Sequence, residues 1–309
     1  GDGSSGSPWE TIARALGYTA PSGTVCVAAG VYTQNVAFGA GNKQITIRGG
    51  FDPATWIWSP SNNATVVYGG GNAPFTVSLG ADSNVLSYLT IRGGTAGGQA
   101  GILFSGAGPC LFVEGCTIVS NYYGICSASQ GGSPVTVALR NVQIIRNASH
   151  GIYFGYANWV SGYYCYLYNC TVADNGGSGF YSDPDYRKDV VPVAKNTLFT
   201  GNSGYGLCKG SDCPGGSIQN CLFYSNATAD VRVDYGLSFA DLGDNKLGRS
   251  PQYVAPAALD YSVSNVSPAA ASGMNLSGSP YFVTNDIRAA VRPQGGAWDM
   301  GAYEGAGVG

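Results

Sequence analysis

Short runs in which apolar and polar residues alternate return about every 26 residues along the middle of the chain. Five eight-residue segments align without gaps, namely EGCTIVSN (114–121), RNVQIIRN (140–147), YNCTVADN (168–175), KNTLFTGN (195–202) and QNCLFYSN (219–226). Their final asparagines are 26, 28, 27 and 24 residues apart. A repeat of this length, built from short alternating runs, predicts a solenoid of stacked β-coils.

Each coil is predicted to contain two or three short strands. Within the segments, residues two positions apart fall on the same face of a strand, as Cys116 and Ile118 do. After the final asparagine, a second run opens with glycine and a large apolar residue, as at 124–125 and 151–152. No amphipathic run of helical length fits between the strands, so the pattern predicts an all-β parallel β-helix and not an α/β fold.

The final asparagines are predicted to stack in register from coil to coil. Asparagine tolerates the left-handed backbone of a tight turn and forms hydrogen bonds within it. We expect this ladder to be structural, with an asparagine-lined ligand groove as the alternative. Its members are Asn121, Asn147, Asn175, Asn202 and Asn226.

The chain is predicted to form a single domain over residues 1–309, with both ends of the solenoid covered. Residues 1–23 are assigned to the N-terminal cap, 24–235 to the coils, and 236–309 to the C-terminal coils and closing segment.

Within the cap, the sequence SPWETIARAL (7–16) predicts a short helix. Ser7 is the candidate N-cap residue, and Glu10 completes a capping box. The apolar face of this helix, which includes Trp9, is expected to cover the first coil.

Composition excludes several classes of function. Charged residues make up 11% of the chain and the net charge is −3, so the surface consists mainly of small polar residues, glycine and tyrosine. Lysine and arginine do not cluster along the sequence, which argues against nucleic acid as a partner. No apolar run approaches the length of a transmembrane helix. The hydrophobic fraction of 44% is sufficient for a core, so the low charge does not indicate disorder.

The nine cysteines fall into two groups. Cys208 and Cys213 bracket a four-residue loop and are predicted to form a local disulfide. Several of the others lie in inward columns and are expected to be buried thiols. A disulfide together with the low charge favours an extracellular or cell-surface location.

Both ends of the chain resemble extracellular right-handed parallel β-helix proteins of the pectate-lyase-like superfold. The opening GDGSSGSPWETIARAL (1–16), the segment ITIRGGFDP (45–53) and the closing DIRAAVRPQGGAWDMGAYE (286–304) carry the resemblance. Ala289 stands where the closing segment of the family usually has glycine, and Met300 where it has isoleucine. The resemblance implies a right-handed fold outside the cell. Because the family contains lyases, hydrolases, adhesins and surface proteins, the resemblance does not decide the function.

One dense charged segment, SDPDYRKD (182–189), offers candidates for catalysis. A lyase uses carboxylates for a cation and a basic group for proton abstraction. Ca²⁺ is therefore expected only if the chain is a lyase, and no other cofactor is predicted. The alternative is a surface loop whose charges neutralise one another. The candidates are Asp183, Asp185, Arg187 and Lys188.

The sole histidine, His150, is predicted to lie in a solvent-facing turn, without a carboxylate partner in its own coil. Tyrosines crowd the same middle coils, and outward tyrosines stack on sugar rings or pack against a second copy of the chain. The alternative is that they are ordinary tyrosines of a β-sheet. The candidate binding residues are Tyr122, Tyr123, Tyr164, Tyr166 and Tyr168.

Sequons for N-glycosylation give three further candidate sites, although such triplets also arise by chance in a chain rich in asparagine and serine. These sites are Asn63, Asn265 and Asn275.

Three functions remain open. The first is a non-catalytic extracellular structural or surface protein that assembles with itself into filaments or arrays. The second is a polysaccharide lyase or glycoside hydrolase that acts in a lateral groove, and the third is a carbohydrate-binding adhesin. A carboxylate cluster drawn from adjacent coils favours the second, and an outward aromatic face favours the third.

Overall fold

The computed structural model of the chain describes residues 1–39, 44–79, 83–106, 108–127, 135–155, 163–183, 190–210, 215–233 and 239–305. In chain order, the helices and strands are α1 (Ile12–Tyr18), β1 (Thr24–Ala28), β2 (Gly30–Thr33), β3 (Val36–Phe38), β4 (Thr46–Phe51), β5 (Thr65–Tyr68), β6 (Phe75–Leu79), β7 (Asn84–Ser87), β8 (Thr90–Arg92), β9 (Ala100–Gly106), β10 (Gly108–Glu114), β11 (Thr117–Val119), β12 (Tyr123–Ser127), β13 (Val135–Arg140), β14 (Gln143–Ile145), β15 (Ile152–Phe154), β16 (Tyr163–Tyr168), β17 (Thr171–Ala173), β18 (Phe180–Ser182), β19 (Val190–Lys195), β20 (Leu198–Thr200), β21 (Tyr205–Lys209), β22 (Ser217–Gln219), β23 (Leu222–Tyr224), β24 (Ala229–Val233), β25 (Ala240–Asp241), β26 (Lys246–Leu247), β27 (Tyr253–Ala255), a 3₁₀ helix (Pro256–Ala258) and β28 (Asp260–Val263).

The strands form three parallel sheets that run along one axis, so the predicted all-β parallel solenoid is confirmed. Sheet 1 has the order β1-β4-β7-β10-β13-β16-β19-β22-β25, and sheet 2 has the order β2-β5-β8-β11-β14-β17-β20-β23-β26. Sheet 3 runs from β3 to β24 through β6, β9, β12, β15, β18 and β21. Every third strand therefore belongs to the same sheet, as a coil of three strands requires.

The core is a set of inward columns that stack from coil to coil. Ile118 pairs in register with Ile144, and Ile144 with Val172. The column continues through Phe199 to Phe223, whose rings stack with centroids 5.1 Å apart. All five side chains are fully buried. Burial of each such side chain contributes about 1.5–3 kcal/mol, so the repeating columns are the main source of stability.

The asparagine ladder is a continuous chain of side-chain hydrogen bonds. The Nδ2 of Asn121 donates to the Oδ1 of Asn147 at 3.2 Å, and Asn147 donates in the same way to Asn175 at 2.9 Å. Asn175 donates to Asn202, and Asn202 donates to Asn226, both at 2.9 Å. The ladder therefore fixes the turn between sheets 2 and 3.

The N-terminal helix is shorter than the sequence indicates. It begins at Ile12, and its N-cap is Thr11, whose hydroxyl accepts a hydrogen bond from the backbone N–H of Arg14 at 3.1 Å. Ser7 instead donates its backbone N–H to Ser4 in a tight turn, which removes it from the helix. The helix buries Ile12 and Leu16 against the first coil, as a cap requires.

The closing segment, here residues 253–305, lies along the side of the solenoid and not across its end. Its backbone carbonyls accept hydrogen bonds from corner asparagines of successive coils: Asn169 donates to Asp299 and Asn196 to Met274. The outer face of sheet 2 is apolar here, and Leu198 packs with Met300. This segment therefore covers an apolar lateral face that the repeat pattern alone does not reveal.

A buried ion pair holds the closing segment together. The Arg292 guanidinium contacts the Glu304 carboxylate at 2.6 Å, and neither side chain is accessible to solvent. Arg292 also donates to the backbone carbonyls of Asp299 and Gly301. These contacts explain why the sequence RP…D-M-G-A-Y-E forms a unit in the fold.

No disulfide links any two cysteines among the described residues. Cys213 lies outside these residues, so its pairing with the fully buried Cys208 stays a prediction. Cys116, Cys170 and Cys221 are fully buried in the core, as expected.

Candidate functional site

The outer face of sheet 1 carries a column of polar and charged side chains at the ends of its strands. Parallel pairing places Arg48 beside Ser87, Ser87 beside Glu114, and Glu114 beside Arg140. The column continues through Tyr168, Lys195 and Gln219. Neighbouring strands are about 4.8 Å apart, so Arg140 lies one strand from Glu114 along the solenoid axis, and Arg48 lies two strands away on the other side.

Arg48 is held in place by aromatic rings. Its guanidinium lies 3.9 Å from the centre of the Trp58 ring and 5.9 Å from that of Tyr88. Trp58 is fixed in turn by a hydrogen bond from its indole N–H to the carbonyl of Gly49, and its ring meets Tyr88 edge to face at 4.9 Å. These contacts orient the arginine without neutralising its charge.

Arg140 has a similar environment one coil beyond Glu114. Its guanidinium lies 5.2 Å from the centre of the Phe112 ring. The Nε atoms of Arg140 and Arg48 are both buried without a hydrogen-bond partner. Within the described part of the chain, neither guanidinium forms an ion pair. Both arginines are half-buried, so the parts of their guanidiniums that remain accessible keep a charge that is able to bind an anionic group.

Glu114 lies half-buried between the two arginines. Burial raises the pKa of its carboxyl above the usual range, and the charges of Arg140 and Arg48 oppose this change. Its carboxylate forms no hydrogen bond or ion pair with any described residue. An unpaired carboxylate near two arginines without ion pairs is able to accept hydrogen bonds from the hydroxyl groups of a ligand, while the arginines bind its anionic groups.

The corner after Glu114 depends on glycine. Gly115 has φ +59°, and a Cβ at this position would lie 2.6 Å from the ring of Tyr88. Burial raises the pKa of the Tyr88 phenol, and the negative charge of Glu114 raises it further. Tyr88 therefore remains a neutral hydrogen-bond donor beside the carboxylate.

Two of the predicted tyrosines extend this surface. Tyr166 pairs in register with Ala138, and its ring stacks on that of Tyr164 with centroids 6.0 Å apart. Tyr164 is 38% exposed. Tyr168 belongs to the same row but is buried by the closing segment, where it meets Tyr281 edge to face. Tyr164 and Tyr166 thus lie on the same outer face as the arginine column, whereas Tyr168, which pairs with Arg140 in that column, is covered by the closing segment.

The other predicted tyrosines lie on a different face. Tyr122 and Tyr123 are at the corner before sheet 3 and meet edge to face at 4.7 Å. Tyr123 stacks on Tyr153, and His150 stacks on both Tyr153 and Tyr181. The five predicted tyrosines therefore do not form a single binding surface.

His150 is half-buried and not solvent-facing as predicted. Its Nδ1 accepts a hydrogen bond from the backbone N–H of Ser178, and burial lowers the pKa of the imidazole to about 4. The charge of Asp183, one coil further on, acts in the opposite direction.

Of the four candidate catalytic residues, the structure describes Asp183; Asp185, Arg187 and Lys188 lie outside the described residues. Within the described ranges, no three histidine, cysteine, aspartate or glutamate side chains are grouped so that they could hold a metal ion. The segment and its calcium therefore stay predictions.

The candidate glycosylation sites are accessible to different degrees. Asn265 and Asn275 are exposed, and Asn63 is partly buried in the turn before β5. Their modification stays a prediction. In the same described ranges, no helix is long and apolar enough to span a bilayer.

Comparison with known proteins agrees with this architecture. Residues 57–247 match the family described as "Right handed beta helix region". The fold also matches the crystal structure of pectate lyase Pel9A with a TM-score of 0.58 and 13% sequence identity, covering 97% of this chain and 92% of that chain. At this identity the likeness shows the fold alone. No curated protein matches the chain.

The family match does not reach residues 286–304, so the resemblance of the closing segment stays a prediction. The match covers well over half of the chain and agrees with the three parallel sheets, and it confirms the predicted handedness. The chain therefore belongs to the right-handed β-helix family.

Proposed function

We propose that the protein is an extracellular surface or adhesive β-helix that binds an acidic polysaccharide along the outer face of sheet 1. The observation that carries this proposal is the pair of unpaired guanidiniums of Arg48 and Arg140 on either side of Glu114. The low charge of the chain and its resemblance to secreted β-helices support the location outside the cell.

Three features of the face support an anionic sugar polymer as the ligand. Guanidinium groups bind carboxylates through paired hydrogen bonds. Phe112, Tyr164 and Tyr166 provide aromatic surface beside the arginines, and such surface packs on sugar rings. The column also follows the solenoid axis over several coils, which suits an extended chain more than a small molecule.

The test is affinity electrophoresis of the folded protein through gels that contain polygalacturonate or a neutral glucan. A hydrogen bond to a charged group contributes about 1.5–3 kcal/mol. Since 1.4 kcal/mol corresponds to a factor of ten, Arg48→Gln and Arg140→Gln should each weaken binding to polygalacturonate about tenfold. Arg92→Gln is the matched control, because Arg92 is an exposed arginine that packs over Tyr68 on sheet 2. Retardation that is equal in the two gels, or equal losses in all three variants, contradicts the proposal.

The same samples test the lyase alternative. A lyase leaves an unsaturated sugar at each cleavage site, and this product absorbs ultraviolet light. If cleavage occurs and Glu114→Gln abolishes it, the site is catalytic, and the proposal that the protein only binds the polysaccharide is wrong. If cleavage occurs and Asp183→Ala abolishes it instead, the predicted segment 182–189 is the active site.

Self-association of the chain, the first hypothesis from the sequence, does not depend on this face. It stays a prediction.

A further inference from the structure

The N-terminal end of the solenoid contains an aromatic-walled cleft. It has a volume of about 550 Å³ and lies between the N-terminal segment and β1. Trp9 and Trp56 form its walls, and Tyr32 and Cys26 also line it. Trp56 is held by a hydrogen bond from its indole N–H to the carbonyl of Ser5. The cleft is thus a formed feature of the cap.

The floor of the cleft is the free edge of β1. As the first strand of sheet 1, β1 pairs with β4 on one side only. The carbonyl of Gly23 accepts a hydrogen bond from Thr46 of β4, so the backbone groups of odd-numbered residues face β4. The groups of Cys26 face the opposite way, into the cleft. In the described residues, no backbone hydrogen bond joins the segment 1–19 to β1.

The opposite end of the solenoid exposes its core. Leu247 pairs in register with Phe223, a fully buried core residue, so its side chain points inward. Leu247 is nevertheless 59% exposed, and the neighbouring Leu242 is 50% exposed. β25 and β26 are the last strands of sheets 1 and 2 in the described part of the chain. The closing segment does not cover them, because it runs along the side.

We propose that the cleft is a strand-accepting site and that its occupant is the last coil of a second copy of this chain. All strands of sheet 1 are parallel, so a copy shifted along the solenoid axis places its β25 beside β1 in the same direction. Sheet 1 then continues from one copy to the next, and Leu242 and Leu247 leave water for the aromatic walls. Addition of a strand to a free edge is an established mode of recognition. Head-to-tail contacts of this kind form open filaments.

The first test changes each end separately and measures mass by light scattering after size exclusion, in reducing buffer. Cys26→Pro removes the N–H that faces the cleft and leaves the pairing with β4 intact. Cys26→Ser is its control because it retains that N–H. At the other end, Leu247→Asp is compared with Val254→Asp, since Val254 on β27 is equally exposed at 59%. Circular dichroism verifies that each variant is folded.

We expect the unaltered chain and both control variants to exceed the mass of one chain and to grow with concentration. Cys26→Pro and Leu247→Asp should each remain single chains. Their equimolar mixture should form a one-to-one complex, because one variant retains the intact cleft and the other the intact last coil. An unaltered chain that stays monomeric overturns the proposal. So does a Cys26→Pro variant that still forms dimers, because such dimers join two last coils without the cleft.

Discussion

Asn175 lies in the middle of the asparagine ladder and is fully buried. Its Oδ1 accepts hydrogen bonds from the backbone N–H of Asn147 at 3.1 Å and from the Nδ2 of Asn147 at 2.9 Å. Its Nδ2 donates to the carbonyl of Ile144 at 3.1 Å and to Asn202. Asn175→Ala removes all four contacts at a position that water does not reach.

The loss of free energy of unfolding depends on which polar groups the substitution leaves without a hydrogen-bond partner. The Nδ2 of Asn147 retains a weak bond to Ile118, and Asn202 still accepts the backbone N–H of residue 175. The backbone N–H of Asn147 has no replacement, and a buried unpaired donor costs about 1–3 kcal/mol. The remaining lost bonds contribute about 0.5–1.5 kcal/mol each. We therefore expect Asn175→Ala to lower the free energy of unfolding by about 3 kcal/mol or more.

The assay is urea denaturation followed by tryptophan fluorescence and circular dichroism, with the midpoint compared at constant slope. Asn226→Ala is the matched control. Asn226 accepts the corresponding bonds from Asn202, but it lies at the partly exposed end of the ladder, where water replaces them. Asn226→Ala should lower the free energy of unfolding by less than half as much as Asn175→Ala does. Equal losses would refute the view that burial of the ladder is the source of its stability.

Three further predictions concern other regions. Glu304→Ala leaves a buried guanidinium unpaired, which costs about 3–5 kcal/mol, and limited proteolysis should then cut within residues 253–305 before the coils. Because burial raises the pKa of Glu114, the carboxylate that forms as pH rises destabilises the fold. Glu114→Gln should therefore gain stability relative to the unaltered chain as the pH rises above about 4, the usual pKa of glutamate; a difference that does not change with pH contradicts this. Burial raises the pKa of Cys170 to about 12, so a thiol reagent should label the exposed Cys26 in the folded protein and leave Cys170 unmodified until unfolding.

The fold could be predicted from the sequence because each coil repeats the same pattern of inward apolar residues and corner asparagines. An inward residue such as Ile144 and a corner residue such as Asn169 recur at a fixed distance along the chain, so the pattern is visible without any long-range information. The path of the closing segment could not be predicted in this way. Its position depends on contacts such as that between Asn169 and Asp299, 130 residues apart, which leave no periodic trace.

The candidate site could be predicted only in part from the sequence. Glu114 and Arg140 are the first letters of two aligned repeat segments, EGCTIVSN and RNVQIIRN, and the third begins with Tyr168. The first position of the aligned repeat segments therefore indicates a row of charged and polar side chains on one face. Arg48 belongs to the row through the pairing of β4 with β7, which lies outside the aligned segments. The charged residues of 182–189 are adjacent in sequence, whereas a lateral site gathers residues from successive coils.

The most direct test of the proposed binding face is calorimetric titration of a tetragalacturonate into the folded protein and into the double variant Arg48→Gln, Arg140→Gln. We expect measurable binding that weakens as salt is raised, since exposed charges are screened within about 10 Å at 0.1 M ionic strength. The double variant should lose this binding while it unfolds at the same urea concentration. Unchanged affinity in the double variant, or no binding by the unaltered chain at low salt, would show that Arg48 and Arg140 do not form a binding site.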